Sequence, residues 1–177
     1  MDKMDPAKEE RVRSKMDLAK MAENASAHLE GATAETIIAW AVEHFGNKVV
    51  AASSFEDCVL VDIVSKINPQ LEVVFLDTGF HFEETLAYVD HIRRLLNLNL
   101  RIVRPSVSLT ESPCGSELCC QVRKVEPLLL ALADKDAWIT GLKRVDAPTR
   151  STAPVIAYDA SKNKLKINPL VNWTDED

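Results

Sequence analysis

The chain has 177 residues, enough for one domain with a sizeable core, and its 46% apolar share is that of an ordinary globular protein. A net charge of −6 argues against a general nucleic-acid binder, which carries a basic excess, while leaving room for a local basic pocket. No signal-peptide core opens the sequence and no apolar run reaches membrane-spanning length, so a cytoplasmic protein with neither membrane nor nucleic-acid partners is expected.

Residues 5 to 29 alternate charges of both signs with Val12, Met16, Leu18 and Met21 and contain no turn residue, which predicts a peripheral helix. Thr33 can cap a second helix whose Ile37, Ala41 and Phe45 fall at i, i+4 and i+8, widened by Ile38 and Trp40 and closed by Gly46. These helices, within residues 1–46, are expected to pack on a sheet formed by residues 47–177. From Lys48 the rhythm changes to short apolar runs. Val49-Val-Ala-Ala52, Leu71-Glu-Val-Val-Phe-Leu76, Leu98-Asn-Leu-Arg-Ile-Val103 and Ala137-Trp-Ile-Thr140 read as strands largely buried between helices. Helical faces separate them: Val59, Leu60, Ile63, Val64 and Ile67; then Leu86, Val89, Ile92 and Leu96; then Val125, Leu128, Leu129 and Leu132. Strand and helix in alternation predict an α/β fold with a doubly wound, mostly parallel sheet. Past Gly141, Pro148 and Pro154 bracket a polar loop, and Val155 to Tyr158 with Lys164 to Ile167 predict a hairpin. Thr174 followed by acids reads as the N-cap of a helix about to open, which suggests a fragment. The sequence contains no internal repeat or interdomain linker.

Four cysteines in a reducing compartment read as metal-binding, redox or core residues rather than as a disulfide framework. Cys119 and Cys120 are adjacent, which makes a disulfide between them strained but lets both thiolates face one metal centre. Arg123 and Lys124 follow within one turn and would lower the thiol pKa values and draw anions. The alternative is a pair of small buried residues beside two solvated cations. Cys58 reads as core, and Cys114 as a surface thiol or an extra ligand.

In a doubly wound sheet, ligands sit beyond the carboxyl ends of the strands. There the first strand offers Ser53-Ser54-Phe55-Glu56-Asp57, suited to hold an anion or simply to cap a helix. The second offers Leu76-Asp77-Thr78-Gly79, whose glycine permits close backbone approach. The fourth delivers Gly141, Lys143, Arg144 and then Arg150. Loops that all offer anion-binding groups, together with the doublet and Lys124, favour a phosphate- or sulfate-bearing ligand. His28, His44 and His91 read as surface or packing residues, and His81 lies beside the second loop.

Taken together these loops resemble the assimilatory sulfonucleotide reductases, the adenylylsulfate and phosphoadenylylsulfate reductase family. The resemblance rests on Ser53-Ser-Phe-Glu-Asp57, Leu76-Asp-Thr-Gly79, Cys119-Cys-x-x-Arg-Lys-Val125-x-Pro-Leu128, Gly141-Leu-Lys-Arg144 with Arg150, and Asn168-Pro-Leu170 before Trp173. It implies a Rossmann-like fold of the adenine-nucleotide α-hydrolase type. It further implies that Ser53, Ser54, Asp57, Leu76, Asp77, Gly79 and Gly141 line the nucleotide, and that Lys124 and Arg150, with Arg144 assisting, meet the phosphosulfate. By the same likeness Cys119 and Cys120 are metal ligands, half of a four-cysteine [4Fe-4S] site found chiefly in enzymes that reduce adenylylsulfate. The implied reaction, on the route of sulfate assimilation to cysteine, gives sulfite and AMP with thioredoxin, or glutathione or glutaredoxin, as reductant. The rivals are phosphoadenylylsulfate reduction and a non-catalytic nucleotide-binding or thiol- or metal-sensing module. A homo-oligomer is left open.

The sequence departs from the family in two places. Ser54-Phe55 stands where many relatives have glycine or another small residue. The second C-x-x-C pair and the nucleophilic cysteine of a Glu-Cys-Gly-Leu-His-like tail have no counterpart, so no catalytic residue is assigned and the 177 residues alone are expected not to turn over.

Overall fold

In the computed structural model, which describes residues 6–106, 115–116 and 118–177, six strands form one sheet in the order β3-β2-β1-β4-β6-β5. β1 (Val49–Ala52), β2 (Val73–Leu76), β3 (Leu100–Val103), β4 (Ala137–Thr140) and β6 (Lys164–Ile167) run parallel, and β5 (Ile156–Asp159) is antiparallel to β6. The chain winds outward from β1 to β2 and β3, then crosses back to β4, so the strand order reverses beside β1. Alternate residues of the central strands feed two cores. Val49 and Ala51 of β1, Val73 and Phe75 of β2, and Ala137 and Ile139 of β4 join the larger one, while Val50, Val74 and Trp138 join the smaller. Burial on both faces explains why these strands read as unbroken apolar runs.

β3 corrects the expectation of a largely buried strand. It lies at the edge of the sheet, where Arg101 and Ile102 are exposed and only Val103 is buried. The expected hairpin forms, with Ile156 paired to Ile167 and Asp159 to Lys164. Its second strand also pairs in parallel with β4, Trp138 opposite Lys166.

On the larger core, α1 (Pro6–Leu29) packs against β5. Its inward face is Leu18, Ala22, Ala25 and Leu29, at i, i+4, i+7 and i+11, whereas Met16 and Met21 are exposed. The small alanines bring the helix close to the edge strand. There the Ser26 hydroxyl accepts the Ile156 N–H at 3.3 Å, satisfying a donor that an open edge would leave unpaired. α2 (Ala34–Phe45) starts as expected, with Thr33 Oγ1 accepting the Thr36 N–H at 3.3 Å, and it buries Ile37, Ile38 and Ala41. α3 (Val59–Ile67) and α4 (Glu83–Leu95) complete this layer through Leu60, Ile63, Val64, Val89 and Ile92.

The opposite face carries α5 (Glu126–Ala131), preceded by a π-helical turn over Gln121–Val125 in which the Glu126 N–H bonds the Gln121 carbonyl. A π-turn holds one residue more than an α-turn and rotates everything after it. Half of the predicted face is buried: Leu132 lies in the smaller core and Leu128 packs against it, whereas Val125 and Leu129 are exposed and Arg123, Pro127 and Ala131 are buried in their place. Among the described residues, no helix is long and apolar enough to cross a membrane.

Candidate functional site

The carboxyl ends of β1, β2 and β4 open onto two adjoining cavities of about 900 and 740 Å³. Ala52, Ser53, Ser54, Glu56, Thr140 and Lys166 line both and form the wall between them. The first lobe is floored by Val74, Leu76, Trp138 and Leu128 and carries Lys124, Lys162 and Asp159. The second is more polar, with Asp57, Gly141, Lys143, Asp146 and Arg150.

The loop after β1 is held by its own side chains. Ser53 Oγ accepts the Phe55 N–H at 3.1 Å, and Asp57 Oδ1 accepts the Val59 N–H at 2.9 Å in a turn leading into α3. Phe55 takes φ 57°, in the left-handed region that favours glycine, and buries its ring edge-on against Phe75 at 5.6 Å between centroids. At this point of departure from the family pattern, the phenylalanine ring is thus taken up by the core. Next to this loop Cys58 is half-buried, and the Tyr88 hydroxyl of the first lobe has its pKa pushed up to about 12, first by its hydrogen bond to Cys58 and then by burial. Tyr88 is thus a neutral phenol throughout the physiological range.

In the loop after β2, Leu76 lines the first lobe, but Asp77 and Gly79 line neither. Asp77 is buried and shapes the turn, its Oδ1 accepting the Gly79 N–H at 3.0 Å and its Oδ2 accepting Arg104 Nε at 3.0 Å. Gly79 supplies φ 82°. His81 does face the first lobe, with Nε2 3.1 Å from the Leu76 carbonyl and its ring 4.9 Å from Phe75. Arg123 fastens the loop from below. Its guanidinium is buried, donates to the Thr78 carbonyl at 3.0 Å and lies 4.7 Å from the centre of the Phe80 ring. The basic pair is therefore split: Arg123 is structural, and Lys124 reaches the cavity.

In the loops after β4, Gly141 and Arg150 line the second lobe, and Arg150 also bonds Asp146 at 2.8 Å. Arg144 does not reach either lobe. Its Nε donates to the Ala153 carbonyl at 2.9 Å and its terminal nitrogen meets Glu30 at 2.7 Å and Asn172, tying this loop to the end of α1. Lys143 pairs with Asp146 and Asp175, and the bond to Asp175 raises its pKa.

Several lining residues were not singled out from the sequence, among them Trp138, Lys162 and Lys166. Lys162 bonds Asp159 at 2.6 Å and lies 5.6 Å from the Trp138 ring centre. Burial and the nearby Arg150 lower the pKa of Lys166, with Asp159 opposing them. The available signal was alternation in β6: Leu165 and Ile167 are buried, so Lys164 and Lys166 must face the other way.

Cys119 is half-buried and Cys120 exposed at the start of the helical run that leads into the π-turn. Cys114 lies outside the described residues. Among the described residues, no three His, Cys, Asp or Glu side chains gather round one point. A [4Fe-4S] cluster takes four thiolates, so the doublet fits as half of such a site.

Residues 47–177 match the family described as the phosphoadenosine phosphosulfate reductase domain. The chain is 41% identical over 170 residues to the adenosine 5'-phosphosulfate reductase of Mycolicibacterium smegmatis, covering 91% of this chain and 72% of that protein. It is 38% identical to the protein of that name from Streptomyces coelicolor, covering 93% and 74%. Among solved structures, phosphoadenylyl-sulfate (PAPS) reductase from Candida auris, a phosphate complex, superposes with a TM-score of 0.72 at 26% identity over 88% of this chain and 80% of that one. Candida glabrata FMN adenylyltransferase superposes at 0.58 and 13% identity over 89% and 60%, a likeness of fold alone.

Proposed function

The chain belongs to the phosphoadenosine phosphosulfate reductase family, and from that premise we propose that it serves the reduction of adenylylsulfate to sulfite and AMP in sulfate assimilation. The observation that carries this reading is the helical run from Cys119 to Lys124, which joins a thiol doublet to a cation lining the first lobe. The names of the relatives at 38–41% identity support it.

In this reading Ser53, Ser54, Leu76 and Gly141 hold the adenosine and Asp57 the ribose, while Lys124 and Arg150 meet the phosphosulfate. Asp77 and Gly79 contribute by shaping the second loop, and Arg144 by fixing the fourth. A thiolate attacks the sulfur, the S–O bond breaks, and AMP departs with the electron pair. Lys124 and Arg150 oppose the charge that builds on the leaving phosphate. The thiolate is not one of the described cysteines, none of which lines either lobe. Reduced thioredoxin then delivers two electrons to the resulting S-sulfocysteine, releasing sulfite and leaving a disulfide. Cys119 and Cys120 would hold two corners of a [4Fe-4S] cluster, which when bound would tune the field beside Lys124. The proposed setting is the cytoplasm.

Competition binding tests the substrate: adenylylsulfate is expected to displace AMP at lower concentration than phosphoadenylylsulfate does. The reverse order would favour the second reading, phosphoadenylylsulfate reduction, to which the Candida auris structure lends weight. Iron and sulfide assayed after anaerobic reconstitution test the cluster, and zinc alone would point to a sensing module.

A further inference from the structure

Among the described residues, Lys166 is the only cation that lines both lobes. Lys124 and Lys162 belong to the first, Lys143 and Arg150 to the second. On the functional reading above, on which this inference rests, Lys124 and Arg150 grip one anionic group from opposite lobes. Such a group has to cross the shared wall. The polar side chains there are Ser53, Ser54, Glu56, Thr140 and Lys166, of which Ser53 already accepts the Phe55 N–H.

Of the other lining cations, Lys162 pairs with Asp159, Arg150 with Asp146, and Lys143 with Asp146 and Asp175, while Lys124, like Lys166, has no ion pair among the described residues. Lys166 is half-buried, and its side chain has neither a hydrogen bond nor an ion pair among the described residues. Partial burial of the lysine disfavours its charged form, its ammonium is left open at the cavity wall, and an arriving anion offsets that penalty. The direction of its pKa agrees, since burial and Arg150 press it down and Lys162 adds to them against Asp159. Its position is also rigid, because Leu165 and Ile167 anchor β6 in the larger core and the strand pairs with β4.

We propose that Lys166 is a further substrate-binding residue, donating to the phosphate–sulfate group where it crosses the wall between the two lobes. Lys124, Lys166 and Arg150 then form one line of cations along the ligand. Roles confined to stability or to the purine predict different behaviour, so calorimetric titration with AMP and with adenosine separates them. Lys166→Met keeps the packed stem and removes the charge. It is expected to weaken AMP roughly 10- to 100-fold while leaving adenosine within about twofold. Lys166→Arg is expected to retain most of the AMP affinity.

Proton linkage gives a second readout. At alkaline pH, where AMP phosphate no longer titrates, the wild-type protein should take up protons on binding AMP. Lys166→Arg should lose that uptake while still binding, because arginine is already protonated. Equal weakening of AMP and adenosine, no weakening, or unchanged uptake in Lys166→Arg overturns the inference. A wild-type protein that binds neither AMP nor adenylylsulfate overturns the functional reading itself, and this inference falls with it.

Discussion

Phe55 holds a backbone conformation at φ 57° that costs an L-residue about 1–2 kcal/mol, and its buried ring stacks edge-on against Phe75. Deleting a buried phenyl ring costs about 3–5 kcal/mol, so packing outweighs strain. Phe55→Gly relieves the backbone and empties the core, and a net loss of about 2–4 kcal/mol is expected from urea denaturation. A more stable variant would mean that strain dominates. Arg123 makes a complementary case, because its charge is buried beneath the second loop rather than offered to a ligand. Arg123→Met keeps the bulk but removes the donor to the Thr78 carbonyl, and should cost about 2–3 kcal/mol. AMP binding should weaken as well, since Thr78 lines the first lobe. Neither residue's environment could be read locally: sequence spacing put Arg123 and Lys124 together, and only the turn of the helix set them apart.

At the scale of elements, the β5–β6 hairpin supplies three ionisable groups to the first lobe: Asp159, Lys162 and Lys166. Burial pushes the Asp159 carboxyl up, but bonds from Lys162 and Ser161 outweigh it and leave its pKa below the ordinary value. A carboxylate held below its unfolded pKa stabilises the fold above the unfolded value, and that contribution disappears as pH falls through the folded value. Asp159→Asn should therefore lower stability at neutral pH and converge with the wild type in acid, below about pH 4. Urea midpoints measured across that range check the sign; curves that stay parallel would refute it. The hairpin itself was legible from its two apolar-alternating runs and the polar stretch between them. The inward face of α5 was legible only in part, Leu128 and Leu132 but not Val125 or Leu129, because a π-turn leaves no periodic mark in the sequence. α1 misled for another reason. Its methionines outweigh its alanines in hydrophobicity, yet only alanine lets a helix approach an edge strand closely enough for Ser26 to bond it.

For the whole molecule, a net charge of −6 surrounds a site whose cations stand among carboxylates: Lys124, Lys162, Lys166, Lys143 and Arg150 beside Glu56, Glu84, Asp57, Asp146, Asp159 and Asp175. The attraction for an anion is therefore local. AMP affinity should fall only a few-fold between about 0.05 and 0.3 M salt, a shallow screening, and adenosine affinity should not change. A steep dependence for AMP would indicate that the outer field drives binding.

By itself the sequence determined the strand–helix alternation, the parallel sheet, the hairpin and the strand-end loops, because periodicity and turn chemistry are local properties of the chain. It also carried the family, through Cys119-Cys120, Lys124 and the four loop motifs. Tertiary structure decided which of those residues meet a cavity: Lys124, Gly141 and Arg150 do, while Asp77, Gly79, Arg123 and Arg144 hold loops in place. It also brought Lys166 to the wall between the lobes, by pairing β6 with β4 across an interval of sequence. A charged side chain's role depends on whether a partner already occupies it, and partners from distant segments meet only when the sheet and its helices close.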